Sequence, residues 1–299
     1  VEEPSKIGRT LLYIFLISIS SLMHAQDNWQ LDIQGHRGAR GLMPENTIPA
    51  FRKALEIGVH TLEIDVVISA DSIVIVSHEP FMSHEICKTP NGTDIKKKDE
   101  QGHNLFALSY QQIKAYDCGS KYVKRFPDQE KMKVHKPSLE DMVKEVESLS
   151  QTHGYNIEIK RKPEWDDSFH PDYKRFADLV IADIERLGIM DRTTVQCFDT
   201  ETLKYIHDTY PHVSLVYLIM DRKPFERHID ELGFNPAVYS PYYKLVDKTL
   251  VDQCRQASIN LIPWTVNDSA DMRELIELRV DGIITDYPDR LVNVVSRLK

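Results

Sequence analysis

Two short apolar runs carry charged residues at alternate positions. Glu63 and Asp65 alternate with Leu62, Ile64 and Val66, and Glu158 and Lys160 alternate with Ile157 and Ile159. A strand sends successive side chains to opposite faces. If the apolar faces meet helices, three carboxylates and a lysine point the other way, into the interior. Such carboxylates are costly unless paired or bound to a cation. An all-oxygen set suits a hard ion, Mg²⁺ or Ca²⁺, rather than zinc. Structural ion pairing with Lys160 and Arg37 is the competing reading. His36 and Arg37 sit between Gly35 and Gly38 at the end of another apolar run. A guanidinium matches phosphate or carboxylate in a two-point contact, and an imidazole titrates near neutrality and serves as acid or base. His78 is the second histidine that the chain can bring to the same place.

The elements that must position these residues follow from periodicity. Candidate strands are Leu31–Gln34, Thr61–Val67, Asn156–Lys160, Thr194–Phe198, Ser214–Ile219, Ala237–Ser240, Asn260–Thr265 and Gly282–Thr285. Helical patterns lie between most of them: Asn46–Ile57, Leu139–Leu149, Asp172–Leu187, Glu201–Thr209, Asp247–Ala257, Ser269–Leu278 and Asp289–Leu298. Thr200 and Asp268 suit helix N-caps. Alternating strands and helices imply a parallel sheet, and eight units imply an α/β fold of the (β/α)8 TIM-barrel type. An open doubly wound sheet is the rival. Ile73–Val76 follows the second strand after Ala70-Asp71-Ser72, a link short enough only for an antiparallel hairpin. A turn near Asp71 returns His78 opposite Ile64. Residues 79–136 show little periodicity and read as an insertion after that hairpin; their Lys96-Lys97-Lys98 run reads as solvated surface. Phe198 and Trp264, at strand ends, could wall a pocket. Asp286 reads as the cap of the last helix rather than a catalytic group.

Composition narrows the class. The 299 residues include 37 Lys and Arg against 46 Asp and Glu, a net charge of −9. An acidic chain lacks the basic footprint of nucleic-acid binding. Lys6 and Arg9, the apolar stretch from Leu11 to Leu22, and Ala25 before Gln26 read as a secretory signal over residues 1–25. The stretch is too short to span a bilayer, so no stable membrane insertion is expected, and the protein is expected to be exported, periplasmic or secreted. The first 25 residues hold two acids and two bases, so removing them leaves the charge at −9. Of the four cysteines, Cys87 and Cys118 flank one irregular stretch and could staple it; export would permit this.

His36-Arg37-Gly38, Pro44-Glu45-Asn46-Thr47, Glu63-Ile64-Asp65-Val66, His78, Glu158-Ile159-Lys160, Trp264-Thr265-Val266-Asn267 and Gly282-Ile283-Ile284-Thr285-Asp286 resemble, in order, the glycerophosphodiester phosphodiesterase family. The resemblance runs from about Ile33 to the C-terminus. It implies a barrel like that of phosphatidylinositol-specific phospholipase C. It implies one divalent metal, Ca²⁺ or Mg²⁺, on Glu63, Asp65 and Glu158, with His36 and His78 as general acid and base. Arg37 and Lys160 would hold the phosphate. Glu45, in the family's motif, would orient His36 or Arg37 or reach the metal. The implied substrate is a small glycerophosphodiester, cleaved to glycerol 3-phosphate and an alcohol in glycerol and lipid metabolism. The insertion would help shape its pocket. Glu79 stands where the family often has Asp, and Cys197 where it often has Ser, departures that bear on headgroup preference. A phospholipase acting on lipid headgroups and a non-catalytic phosphate-ester binder are the alternatives.

Overall fold

Residues 29–298 are described by the computed structural model; the expected signal, residues 1–25, lies outside the described residues. From Leu31 onward the chain forms one unit. Its strands are β1 (Asp32–Gly35), β2 (Thr61–Ile68), β3 (Val74–Val76), β4 (Gly154–Ile159), β5 (Thr193–Cys197), β6 (Ser214–Ile219), β7 (Val238–Pro241), β8 (Asn260–Leu261) and β9 (Gly282–Thr285). All but β3 run parallel, in the order β8-β7-β6-β5-β4-β2-β1-β9. Asp281 N–H donates to Leu261 O at 2.9 Å and Ile284 N–H to Pro263 O at 3.0 Å, so the eighth strand and β9 bridge the remaining seam. The architecture is a (β/α)8 TIM barrel.

The alternation in β2 explains why it lies in the middle of this wall. Leu62, Ile64 and Val66 are fully buried, and β4 pairs alongside with Ile64 opposite Ile157 and Asp65 opposite Glu158. The two acidic faces are thereby brought into one row. Regular pairing in the eighth strand stops at Leu261, earlier than the expected Thr265, because Pro263 has no N–H to give the ladder. Helices Ile48–Ile57, Leu139–Glu147, Tyr173–Arg186, Thr200–Thr209, Lys248–Gln256, Ser269–Glu277 and Pro288–Ser296 fall where periodicity predicts. Asp268 caps its helix, accepting from Ala270 N–H. Thr200 does not cap: it is the first helical residue, and Asp199 accepts from Thr202 N–H instead. The helix Phe225–Leu232 has no side-chain cap and follows Pro224, so the usual start signal is missing.

β3 folds back on β2 with Val66 opposite Val76 and Ile68 opposite Val74. Continuing that register two places sets His78 opposite Ile64, as the turn geometry predicts. Residues 79–136 then form a layer of short helical turns, among them Tyr110–Ile113, stapled by a Cys87–Cys118 disulfide. Phe81, Met82, Leu105, Ile113 and Phe126 give this layer its own apolar core, continuous with Val67 and Ile75 of the hairpin and with Tyr287. Lys96, Lys97 and Lys98 are exposed, as expected for a solvated run. Among the described residues no helix is long and apolar enough to cross a membrane.

Candidate active site

Strand β1 ends in a turn that only a small residue can complete. Gly38 has φ 84°, and a Cβ there would lie 2.6 Å from the Ala50 backbone. The preceding Arg37 also has positive φ, and its N–H donates to Glu63 Oε2 at 2.9 Å. This turn drives His36 and Arg37 over the C-terminal mouth of the barrel. The Arg37 side chain reaches Glu45 Oε1 at 2.7 Å and Asp65 Oδ2 at 3.0 Å. Glu45 thus orients Arg37 and stands outside the carboxylate cluster.

That cluster is Glu63, Asp65 and Glu158, all buried, with one oxygen of each within 4.8 Å of the others. Burial first, and then neighbouring charges, move these carboxyls from their ordinary range. Burial, then Asp65 and Glu158, push Glu63 well above the usual carboxylate range. Glu158 is pushed up to about 7 by burial, although Lys160 opposes the shift. Burial would raise Asp65 too, but Arg37 and then Lys160 overcome it and hold that carboxylate well below its ordinary value. Lys160 Nζ bonds Glu158 Oε1 at 2.6 Å and lies 3.7 Å from Asp65 Oδ1, an oxygen with no hydrogen-bond partner. Three crowded carboxylates, one with an unsatisfied oxygen, fit a hard cation, and the cluster could hold one.

Each histidine is anchored by a carboxylate. His36 Nδ1 lies 2.6 Å from Asp286 Oδ1, while its Nε2 faces Glu63 Oε2 at 3.9 Å. Burial and then Arg40 push His36 down to about 4, against the pull of Asp286. His78 Nδ1 lies 2.7 Å from Glu79 Oε1. Burial would raise Glu79, yet its bond to His78 keeps it far below the usual range. Both histidines line one pocket of about 290 Å³, with Arg37, Glu63, Glu158 and Lys160. Phe198 and Trp264 meet edge to face at 5.5 Å in its far wall, beside Leu218 and Met220. The Trp264 indole N–H donates to Ser240 O at 2.8 Å, which fixes the ring. The pocket therefore brings together His36, His78, Arg37, Lys160, Phe198 and Trp264 with two of the three clustered acids; Asp65 and Glu45 stand behind it.

Asp286 is not the expected helix cap. The last helix opens at Pro288 with no side-chain cap, and both Asp286 oxygens are spent elsewhere. Arg40 Nε and Nη2 donate to them at 2.7 and 3.1 Å, and Asn267 Nδ2 donates at 2.7 Å. Arg40, Asn46 and Gln196 also belong to the site without having been singled out in the sequence. Asn46 Nδ2 donates to Asp65 Oδ2 at 2.9 Å, and Gln196 Nε2 to Glu63 Oε1 at 2.6 Å. Asn156 links Gln196 to Gln34 across the barrel interior, at 3.1 and 2.9 Å. The signal available for Gln196 was its phase: it alternates with Val195 and Cys197, on the row that faces Glu158 in the neighbouring strand.

Residues 36–290 match the model of the glycerophosphoryl diester phosphodiesterase family. A glycerophosphodiester phosphodiesterase of Caldanaerobacter subterraneus subsp. tengcongensis is 28% identical over 266 residues, covering 88% of this chain and 96% of the relative. One from Bacillus altitudinis is 28% identical over 271 residues, covering 89% and 99%. A solved structure of the same family from Silicibacter pomeroyi DSS-3 superimposes with a TM-score of 0.82 at 27% identity, covering 91% of this chain and 95% of that one.

Proposed function

The chain belongs to the glycerophosphoryl diester phosphodiesterase family and is a phosphodiester hydrolase; from that premise we propose that it cleaves glycerophosphodiesters to glycerol 3-phosphate and an alcohol, using one divalent cation and the pair His36 and His78. The observation that carries this reading is the meeting, in one pocket, of two carboxylate-anchored imidazoles with a buried cluster of three acids. Glu63, Asp65 and Glu158 would hold the ion, Ca²⁺ or Mg²⁺. When bound, it supplies positive charge against the phosphoryl oxygens. Arg37 and Lys160 bind the same oxygens and oppose the charge that builds on them. Each histidine commits Nδ1 to a carboxylate, which leaves Nε2 for proton transfer. One imidazole takes the proton of the attacking hydroxyl or water, and the other gives a proton to the departing alcohol oxygen. Phe198 and Trp264 exclude water from the bound ester and pack its carbon skeleton. Residues 1–25 serve as a removable export signal, so the working protein is periplasmic or secreted and begins near Gln26; mass spectrometry of the mature N-terminus tests this.

The purified protein is expected to release glycerol 3-phosphate from glycerophosphocholine or glycerophosphoethanolamine. EDTA should stop the reaction, and Ca²⁺ or Mg²⁺ should restore it. His36→Ala and His78→Ala should each lower kcat by about 10²–10⁴-fold. Near-normal turnover in either variant would sink the acid/base assignment. A second reading, action on lipid headgroups, is favoured by one observation: Phe198 is 39% and Met220 65% exposed at the pocket wall. Release of phosphorylated product from intact lipid vesicles would support it.

A further inference from the structure

Resting on the hydrolase reading above, we propose that the alcohol half of the preferred substrate carries a second negative charge, a phosphate or carboxylate, and that Arg125 binds it. Arg125 comes from the insertion, within a stretch whose charge opposes that of the whole molecule. Residues 119–133 hold five cations, Lys121, Lys124, Arg125, Lys131 and Lys133, against Asp128 and Glu130. The stretch is fastened down. Phe126 is buried against Tyr287, Gln129 Nε2 donates to Arg40 O at 2.7 Å, and Glu130 N–H to Leu42 O at 2.8 Å. The Arg125 guanidinium lies over the Phe126 ring, 4.8 Å from its centroid, and lines the active-site pocket. A cation resting on a ring in this way is held in place without using its hydrogen-bond donors.

The other cations of the pocket are already paired with carboxylates, and Arg37 and Lys160 are assigned to the phosphate that is cleaved. Arg37 is bonded to Glu45, Arg40 to Asp286, and Lys160 to Glu158. Arg125 has Glu45 Oε2 at 4.0 Å, beyond hydrogen-bond distance, and Glu45 is already taken by Arg37. Its planar fork suits phosphate and carboxylate alike. Beyond Arg125 the pocket adjoins a cleft of about 710 Å³ lined by His84, Lys121, Tyr122 and Lys124, with Glu85 as its one acid. The acids lining the pocket itself, Glu63 and Glu158, belong to the cation cluster. A cationic headgroup would therefore meet Arg125 and no uncommitted carboxylate inside the pocket, whereas an anionic one meets a guanidinium held ready.

The test compares glycerophosphoinositol with glycerophosphoinositol 4-phosphate, which differ by one phosphate on the alcohol. The wild-type enzyme, loaded with Ca²⁺ or Mg²⁺, should favour the phosphorylated ester in kcat/KM by about tenfold, the scale of one charge-assisted hydrogen bond. Arg125→Gln should remove that preference, Arg125→Lys should keep part of it, and added salt should shrink it in the wild type. Thermal melting checks that the variants fold. The same pair of esters is titrated calorimetrically into the metal-loaded His78→Ala protein, with and without Arg125→Gln. Equal wild-type kcat/KM for the two esters, or a preference that survives Arg125→Gln, overturns the proposal. A binding preference that follows Arg125, with no hydrolysis of either ester by the metal-loaded wild type, would overturn the hydrolase reading and leave this inference standing.

Discussion

His36 is held between opposed influences. Burial and Arg40 disfavour its charged form, while Asp286 stabilises it. Asp286 is in turn held far below the usual carboxylate range, since His36 and Arg40 outweigh its burial. Asp286→Asn keeps the shape of the contact but removes the charge that steadies a protonated imidazole. It should lower kcat by about a hundredfold with a smaller change in KM, and steady-state kinetics within twofold of wild type would refute the role. The same burial predicts a pH effect on stability. The folded His36 titrates near 4, below the ordinary 6.5, so between those values the unfolded chain binds a proton that the folded one refuses. Stability of the metal-free protein should then fall as pH drops from 6.5 towards 4, by on the order of 3 kcal/mol from this group, and be indifferent to it above 6.5. Asp286 works in a lower window: its contribution persists until pH falls below the ordinary carboxylate value. Urea melts in EDTA at pH 7 and 5 check this, and a His36→Asn variant with the same pH slope as wild type would refute it. At this scale the sequence was legible where strand alternation put like residue types on one face, as for the clustering of Glu63, Asp65 and Glu158. Asp286 was not legible, because an aspartate before a helix has two uses, and only the approach of Arg40, 246 positions earlier, tells them apart.

Among the strands, the alternation of apolar and charged residues in β2 and β4 fixed both the barrel and the inward row of acids. It failed where polar side chains alternate without charge. Gln34, Asn156 and Gln196 are buried in the barrel interior, and amides at such positions read like any half-exposed strand residue until their partners across the barrel are known. The helix Phe225–Leu232 was missed for a related reason, since it announces its end with Gly233 but not its beginning. The amide row has a consequence for the cluster. Gln196 is the side chain that donates to Glu63 Oε1, so Gln196→Leu should cost about 1–3 kcal/mol in stability. It should also weaken cation binding by about 10–100-fold, as loss of a group that orients a metal ligand does. Calorimetric titration with Ca²⁺ and Mg²⁺ gives the affinity, and an unchanged value would show that Glu63 needs no such support.

Over the whole molecule, the net charge of −9 says little about the pocket, where Arg37, Arg40, Arg125 and Lys160 gather. Bulk charge governs the solvated surface, while a concave site follows its own few groups. The insertion that brings Arg125 is stiffened by the Cys87–Cys118 bond, which closes a ring over 31 positions. Reduction, or Cys118→Ser, should cost about 3–4 kcal/mol through the freedom returned to the unfolded ring. Its first sign should be protease cleavage within residues 87–118 while the far-ultraviolet circular dichroism of the barrel persists. Loss of that dichroism at the same point as the onset of cleavage would mean that the barrel depends on the staple. Both cysteines of that ring, and Arg125 after it, lie inside residues 79–136, whereas the acids of the cluster and His36 and His78 lie outside. This placement bears on inheritance. One uninterrupted stretch of the chain carries the insertion's layer, its staple and the residue proposed to choose the alcohol, so new preferences can be drafted there without rewriting the stretches proposed to break the bond.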